Sequence, residues 1–150
     1  IVACDRANRI AAVGLVAAEY LLRPCRGPLP VLAFHGTADP VVPYASGATG
    51  RSVPGIPVVG TVQNLEAWAR LDGCRPRPVV TSPATAVTER TWTGCAAGSS
   101  VVLYSVIGGG HTWPGAPVVL PTAALGTTSE TIDATSLMLD FFRTHRTPHP

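Results

Sequence analysis

Short apolar segments alternate with polar, turn-rich segments along the whole chain. The apolar segments at 10–18, 31–34 and 101–107 have the length of strands, and the last is rich in β-branched residues. Residues 85–92 alternate between apolar and polar positions, as a strand with one buried face does. We therefore predict strands at these four places, although residues 10–18 could also begin as a helix.

Two other segments have the three-to-four-residue spacing of apolar side chains that is typical of amphipathic helices. The first covers residues 61–71. The second covers residues 129–145, with Ser129 or Thr131 as the predicted N-cap. The apolar residues predicted to form its buried stripe are Ala134, Leu137, Met138, Phe141 and Phe142. We predict a loop at 44–60 and a loose tail at 146–150.

Buried strands that alternate with helices predict an α/β fold, and 150 residues are enough for one domain with a core of its own. The chain is therefore expected to be a single domain over residues 1–150. Its sheet should be mostly parallel and flanked by helices. Residues 85–92 and 101–107 are the exception, because the short glycine-containing connection between them favours a hairpin-like pair.

Composition and charge exclude several classes of partner. The net charge is +2, every positive residue is an arginine, and the arginines are scattered, so nothing predicts a nucleic-acid surface. No stretch of about 18 apolar residues occurs, so no membrane span is predicted. We expect no cofactor. The chain starts without a methionine or a signal-like segment and reads as if it began inside a domain.

The four cysteines, Cys4, Cys25, Cys74 and Cys95, do not have the spacing of a zinc site, and no metal is predicted. Three disulfide pairings are possible; the sequential one closes two short loops, each worth about 3 kcal/mol. Disulfides favour an extracellular or periplasmic location. Four buried free thiols are the alternative.

A carboxylate follows the predicted strand 31–34 in the segment HGTADPVVPY, where Asp39 lies just past the strand end. Ligands bind at that edge of open α/β sheets, and a carboxylate there can orient an imidazole. The alternative is structural, because an aspartate before a proline often begins a turn.

A histidine, His111, follows the predicted strand 101–107 in the segment GGGHTWPG. The three glycines allow a sharp turn and predict an uncluttered, mobile loop. Histidine is the natural proton shuttle of acyl transfer. A histidine bonded only to loop carbonyls is the alternative.

Together these segments resemble one family of secreted enzymes. HGTADPVVPY, then DGC at Cys74, WTGC at Cys95, VVLYSVIGGGHTWPG and the closing IDATSLMLDFFRTH are similar to the poly(3-hydroxybutyrate) depolymerases and the feruloyl or acetyl-xylan esterases. This resemblance covers residues 3–145. It implies the C-terminal portion of an α/β-hydrolase fold, whose catalytic residues follow in the order Ser, acid, His.

The resemblance also implies roles for individual residues. Asp39 matches the acid of the catalytic triad and His111 its base, while Trp113 matches a position that lines the substrate pocket. It implies disulfides between Cys4 and Cys25 and between Cys74 and Cys95. The substrate would be a hydroxyalkanoate polyester or an esterified plant polysaccharide.

The chain departs from this family in one respect, because it contains no G-x-S-x-G segment for the nucleophile. We therefore expect the N-terminal half with the nucleophile elbow to be missing and the chain alone to be inactive. Two other hypotheses remain: a non-catalytic module that binds polyester or polysaccharide through Trp113 and Trp92, and an α/β domain without a site. The oligomeric state is not predicted.

Overall fold

The computed structural model describes residues 2–18, 25–46, 59–118 and 121–146. Most of the predicted loop at 44–60 and nearly all of the predicted tail at 146–150 lie outside these residues.

A five-stranded mixed sheet with helices on both faces makes up the described part of the chain. The strands are β1 (Val13–Val16), β2 (Val31–Gly36), β3 (Val79–Ala84), β4 (Val87–Trp92) and β5 (Val101–Val106). The helices are α1 (Val2–Asp5), α2 (Thr61–Leu71), α3 (Thr122–Leu125) and α4 (Ala134–Thr144), with a 3₁₀ turn at Ala96–Gly98. The predicted α/β class is confirmed, and so are the bounds of α2.

The strand order is β1-β2-β5-β4-β3. β1, β2 and β5 run parallel, whereas β4 is antiparallel to both of its neighbours. The predicted antiparallel pairing of β4 with β5 is confirmed. The expectation of a mostly parallel sheet is wrong for the half that contains β3 and β4, because the connections at 85–86 and 93–100 reverse the chain on both sides of β4.

β2 lies between two parallel neighbours, and all six of its residues are buried. Alternate side chains of such a strand enter opposite cores. Val31 and Ala33 pack in the core that contains α2, where Leu65 and Trp68 face the sheet. The residues that alternate with them enter the core on the other face, which contains α4. The end of β2 is thereby fixed from both sides.

α4 begins later than predicted. Its N-cap is Asp133, whose carboxylate accepts hydrogen bonds from the backbone N–H groups of Thr135 and Ser136. The hydrogen bond from the hydroxyl of Ser136, together with these backbone bonds, lowers the pKa of Asp133. The predicted caps Ser129 and Thr131 are therefore wrong, since a carboxylate closer to the first turn satisfies its free donors.

The predicted buried stripe of α4 holds only in part. Ala134 and Met138 are buried, whereas Phe142 is exposed. A short helix that packs on one face of a sheet buries a narrower stripe than the sequence pattern indicates.

One strand, β3, was not predicted. It contains Pro83, which argues against a strand because proline cannot donate to a sheet. β3 lies at the edge of the sheet, where that donor is not needed. The predicted strand at 85–92 is shorter than expected, because Thr85 and Ala86 form the turn of the β3–β4 hairpin and Ala86 has φ of 57°.

Candidate active site

The carboxyl ends of β2 and β5 meet at one edge of the sheet. The two strands are parallel neighbours, with Gly36 in register with Val106 at their last residues. The loops that carry Asp39 and His111 leave the sheet from these ends, so residues that are distant in sequence come together. Once β2 and β5 are known to be parallel neighbours, the positions of Asp39 and His111 just after these strands predict that the two residues lie close together.

Asp39 is held in a fixed orientation. Its side chain has no solvent exposure. The Oδ1 atom accepts hydrogen bonds from the backbone N–H groups of Val41 at 2.7 Å and Val42 at 2.8 Å. This leaves Oδ2 to face the imidazole of His111. Asp39 therefore begins a turn, as the structural alternative predicts, and its carboxylate also faces His111.

His111 lies with its Nδ1 atom 2.9 Å from Oδ2 of Asp39. Because an ionised carboxylate only accepts hydrogen bonds, Nδ1 carries the proton and the lone pair lies on Nε2. One third of the His111 side chain is exposed. No hydrogen bond from Nε2 is found within the described ranges. A ring in this tautomer, open on the Nε2 side, can take a proton from a nucleophile.

Glycines at the end of β2 and after β5 allow the backbones of neighbouring loops to approach closely. A Cβ atom on Gly36 would lie 2.2 Å from the carbonyl oxygen of Gly109, and one on Gly110 would lie 2.1 Å from that of Leu125. Only residues without a side chain fit such distances. The prediction of an uncluttered loop is therefore wrong: the glycines pack the histidine loop tightly against its neighbours.

Residues 125–129 hold the histidine loop from the other side. The N–H of His111 donates to the carbonyl of Leu125 at 2.6 Å, and the N–H of Gly110 donates to that of Thr127 at 2.9 Å. Gly109 and Thr127 form a parallel bridge. The histidine loop is thus tied to this segment through the backbone, and also to the acid loop, since the N–H of Ala38 donates to the carbonyl of Gly109 at 2.9 Å.

Two polar residues that sequence reasoning did not single out lie behind the acid. His35, in β2, places Nε2 2.9 Å from the carbonyl oxygen of Val42 and 3.4 Å from Oδ2 of Asp39. Its Nδ1 atom lies 2.9 Å from the hydroxyl of Thr61, the first residue of α2. The one available signal was a histidine that ends an otherwise apolar buried strand.

The tryptophans differ in their placement. Trp113 is 40% exposed, and its indole N–H donates to the hydroxyl of Thr135 at the start of α4. It lies on the histidine loop, where a substrate could contact it. Trp92 is 1% exposed and belongs to the core that α2 covers. The hypothesis that Trp92 forms part of a binding surface is wrong, because its ring has no access to a ligand.

Neither hydrogen bond of the Ser105 hydroxyl involves His111. Ser105 is 1% exposed in β5, and its hydroxyl pairs with Tyr44 at 2.7 Å and accepts from Arg90 at 3.2 Å. No hydrogen bond links His111 to a serine in the described part of the chain. The acid–base pair is present there without a nucleophile beside it.

Two disulfides join segments on the α2 side of the sheet. Cys4 is bonded to Cys25, and Cys74 to Cys95. The first ties α1 to the segment that leads into β2. The second ties the end of α2 to the connection between β4 and β5. These are the sequential pairs, and neither touches the acid–base pair.

A second buried carboxylate lies at the opposite end of α2 from Thr61. Asp72 is fully buried and accepts from the N–H of Leu29 and from the hydroxyl of Ser99. Burial raises the pKa of Asp72, and these hydrogen bonds offset the rise in part. Its partners are structural, so this acid stabilises the connection between α2 and the strands.

The described residues contain neither a membrane-spanning helix nor a metal-binding cluster. No helix there is long and apolar enough to cross a membrane. No cluster of three or more His, Cys, Asp or Glu side chains there is arranged to hold a metal ion.

No protein-family model matches the chain. The chain is 30% identical over 156 residues to "Putative esterase NocK" of Nocardia uniformis subsp. tsuyamanensis, an alignment that covers 93% of this chain and 45% of that protein. It is 35% identical over 91 residues to "Feruloyl esterase B" of Piromyces equi, which covers 59% of this chain and 16% of that protein. The chain thus spans less than half the length of these relatives. Both are named as esterases, so the comparisons support a relationship to esterases.

Proposed function

We propose that this chain supplies the acid, Asp39, and the base, His111, of a serine carboxylic-ester hydrolase with an α/β-hydrolase fold. The observation that carries this proposal is the 2.9 Å contact between Nδ1 of His111 and Oδ2 of Asp39 at the carboxyl ends of two parallel strands. An acid–base pair at that edge, with the second ring nitrogen open, matches what serine hydrolysis requires.

The reaction would run in two steps. A serine hydroxyl attacks the ester carbonyl while Nε2 of His111 takes its proton, and the proton then passes to the leaving alcohol as the acyl-enzyme forms. In the second step Nε2 takes a proton from water, which attacks the acyl group, and returns it to the serine oxygen as the bond to the acyl group breaks and the acid leaves. Asp39 stabilises the imidazolium in both steps and fixes its orientation.

In this proposal the nucleophilic serine belongs to a segment outside the 150 residues. Two observations support it: the chain has no G-x-S-x-G segment, and it spans 45% of the length of the NocK-named relative. The donors that stabilise the oxyanion would also come from that segment. The isolated chain should then lack turnover.

The substrate class we propose is a hydroxyalkanoate polyester or an esterified plant polysaccharide. The name of the second relative, a feruloyl esterase, favours an ester of the latter kind. Trp113 is exposed on the loop that carries the base, which supports a contact with the acyl or aromatic part of such a substrate. No metal or organic cofactor takes part in this mechanism.

The two disulfides also favour a location outside the reducing cytosol. We propose that the complete protein works in the extracellular space or the periplasm, where polymeric esters are accessible.

The experiment that tests the proposal compares p-nitrophenyl acetate hydrolysis by the protein extended at its N-terminus with hydrolysis by the 150-residue chain. The extended protein should hydrolyse the ester, and His111→Ala should remove most of that rate. His145→Ala is the matched control and should leave the rate unchanged, because His145 lies at the end of α4 and not on the loops that carry Asp39 and His111. The isolated 150-residue chain should not hydrolyse p-nitrophenyl acetate above background. Turnover by the isolated chain that His111→Ala abolishes would contradict the missing nucleophile, and full activity of the His111→Ala extended protein would refute the base.

A further inference from the structure

His35 is a buried histidine with a hydrogen-bond partner at each ring nitrogen. Its side chain has no solvent exposure. Nε2 lies 2.9 Å from the carbonyl oxygen of Val42, and Nδ1 lies 2.9 Å from the hydroxyl oxygen of Thr61. The ring therefore connects the first residue of α2 with the loop that carries the catalytic acid.

The partners determine which nitrogen of His35 carries the proton in a neutral ring. A backbone carbonyl can only accept, so Nε2 must be the donor to Val42. Nδ1 then has the lone pair, and the hydroxyl of Thr61 donates to it. The same Nε2–H group lies 3.4 Å from Oδ2 of Asp39, so it also adds positive potential beside the carboxylate.

The carbonyl that His35 holds belongs to a residue that in turn fixes the acid. The N–H of Val42 donates to Oδ1 of Asp39 at 2.8 Å. The two groups lie on either side of the Cα atom of Val42, so a ring that holds the backbone of Val42 also helps to hold the orientation of the carboxylate, and with it the direction in which Oδ2 faces His111. The sequence of contacts runs from Thr61 through His35 and the backbone of Val42 to Asp39 and His111.

We propose that His35, held as the Nε2–H tautomer by the carbonyl of Val42 and anchored at Nδ1 by Thr61, is a positioning residue that keeps Oδ2 of Asp39 aligned with Nδ1 of His111. Its effect on catalysis rests on the function proposed above, whereas its effect on the His111 ring does not. A histidine kept only for packing would have no such effect. The neighbouring positions of β2 that face the same core are the apolar Val31 and Ala33, so filling space there does not require a polar ring.

The experiment is long-range ¹H–¹⁵N NMR of the 150-residue chain at one neutral pH, which reports the protonated nitrogen of each imidazole. In the parent chain His35 should be protonated at Nε2 and His111 at Nδ1. Thr61→Val keeps the shape of the side chain but removes its hydroxyl. It should leave Nδ1 of His35 without a hydrogen-bond donor and shift its ¹⁵N signal accordingly, while Nε2, which faces a carbonyl, keeps its proton. The loosened ring should weaken the signal of the hydrogen-bonded Nδ1 proton of His111.

Two controls separate positioning from a general loss of packing. Thr61→Ser restores a hydroxyl and should restore the parent signals of both rings. Ser99→Ala removes a buried hydroxyl from the other carboxylate, Asp72, and should leave both rings unchanged. If Thr61→Val lowers stability but leaves the signal of the bonded Nδ1 proton of His111 as in the parent, His35 has only a structural role and the proposal is wrong.

The extended protein supplies a second, independent readout. Thr61→Val should lower kcat about tenfold with KM nearly unchanged, because a small misplacement of the catalytic pair affects the transition state more than substrate binding. Thr61→Ser should recover the rate. If the extended protein hydrolyses no ester, the proposed function fails, yet the NMR result still decides whether His35 controls the His111 ring.

Discussion

Nδ1 of His111 lies 2.9 Å from Oδ2 of Asp39, although 72 residues separate the two along the chain. The contact depends on the parallel pairing of β2 and β5, which brings the ends of both strands to one edge of the sheet. It also depends on the two backbone N–H groups that occupy Oδ1 and leave Oδ2 for the imidazole. Strand order and local turn geometry together produce the acid–base pair.

Asp39→Asn should change the tautomer of His111. The amide oxygen will remain where the N–H groups of Val41 and Val42 donate, so the NH₂ group must face His111. Two donors cannot share that contact, so the proton of the His111 ring should move from Nδ1 to Nε2. A ring that is protonated at Nε2 cannot take a proton from a nucleophile. In the extended protein kcat should fall about 10⁴-fold.

The measurement for this variant is ¹⁵N NMR of the 150-residue chain together with ester hydrolysis by the extended protein. Asp140→Asn is a suitable control, because Asp140 is an exposed acid on α4. A variant that retains Nδ1–H and parent activity would show that the carboxylate does not set the tautomer.

Gly36→Ala should disturb the site through the backbone. The added Cβ would meet the carbonyl oxygens of Gly109 at 2.2 Å and Gly110 at 2.5 Å, neither of which can rotate away. We expect a loss of about 1–3 kcal/mol in the free energy of unfolding, as for other overpacked positions. Urea denaturation measures it.

Gly27→Ala is the matched control for that substitution, because a Cβ there would have no neighbour within 4 Å. Its effect should stay within about 0.5 kcal/mol. Equal stabilities of the two variants would mean that the loops after β2 and β5 are not packed as closely as described.

Most of the framework followed from the sequence because its signals are local. The apolar period of α2 and the apolar runs of β2 and β5 are each read within a dozen residues. Once the two strands are neighbours in a parallel sheet, the meeting of Asp39 and His111 also follows.

Other features were missed because they depend on distant partners. β3 contains Pro83, and only the edge position of that strand makes a proline acceptable there. The hydrogen bond from the N–H of His111 to the carbonyl of Leu125 could not be predicted from the sequence, since every residue has a backbone carbonyl. The link from Thr61 to His35 likewise joins two polar residues whose proximity only the packed fold reveals.

Removal of the Cys74–Cys95 disulfide should destabilise the fold without changing the acid–base pair. The double substitution Cys74→Ser and Cys95→Ser frees a loop with a sequence separation of 21, which the chain-entropy argument values at about 3 kcal/mol. Urea unfolding should show that loss, while the Nδ1–H signal of His111 persists under native conditions. Unchanged stability would mean that the disulfide does not stabilise the fold. Loss of the His111 signal would mean that the disulfide supports the geometry of the acid–base pair.

Asp72 should make stability depend on pH in a defined direction. Burial raises the pKa of Asp72, so the folded state keeps this proton to a higher pH than the unfolded chain does. As pH rises from the ordinary aspartate value through the raised folded pKa, this group therefore contributes less and less to the free energy of unfolding.

Asp72→Asn removes that titration and should make stability less dependent on pH between about pH 4 and the raised pKa. Urea midpoints of the parent and the variant across this range supply the comparison. A parent whose stability relative to the variant rises with pH would reverse the sign and contradict a raised pKa.

The central claim is that Asp39 and His111 activate a serine that lies outside these 150 residues. Fluorophosphonate labelling of the extended protein, followed by mass spectrometry of the modified peptide, tests it most directly, because the reagent reacts with a serine only when a neighbouring base activates it. We predict one modified serine in the N-terminal extension, and loss of labelling in His111→Ala. A modified serine within the 150 residues, or labelling that persists without the imidazole of His111, would contradict the account.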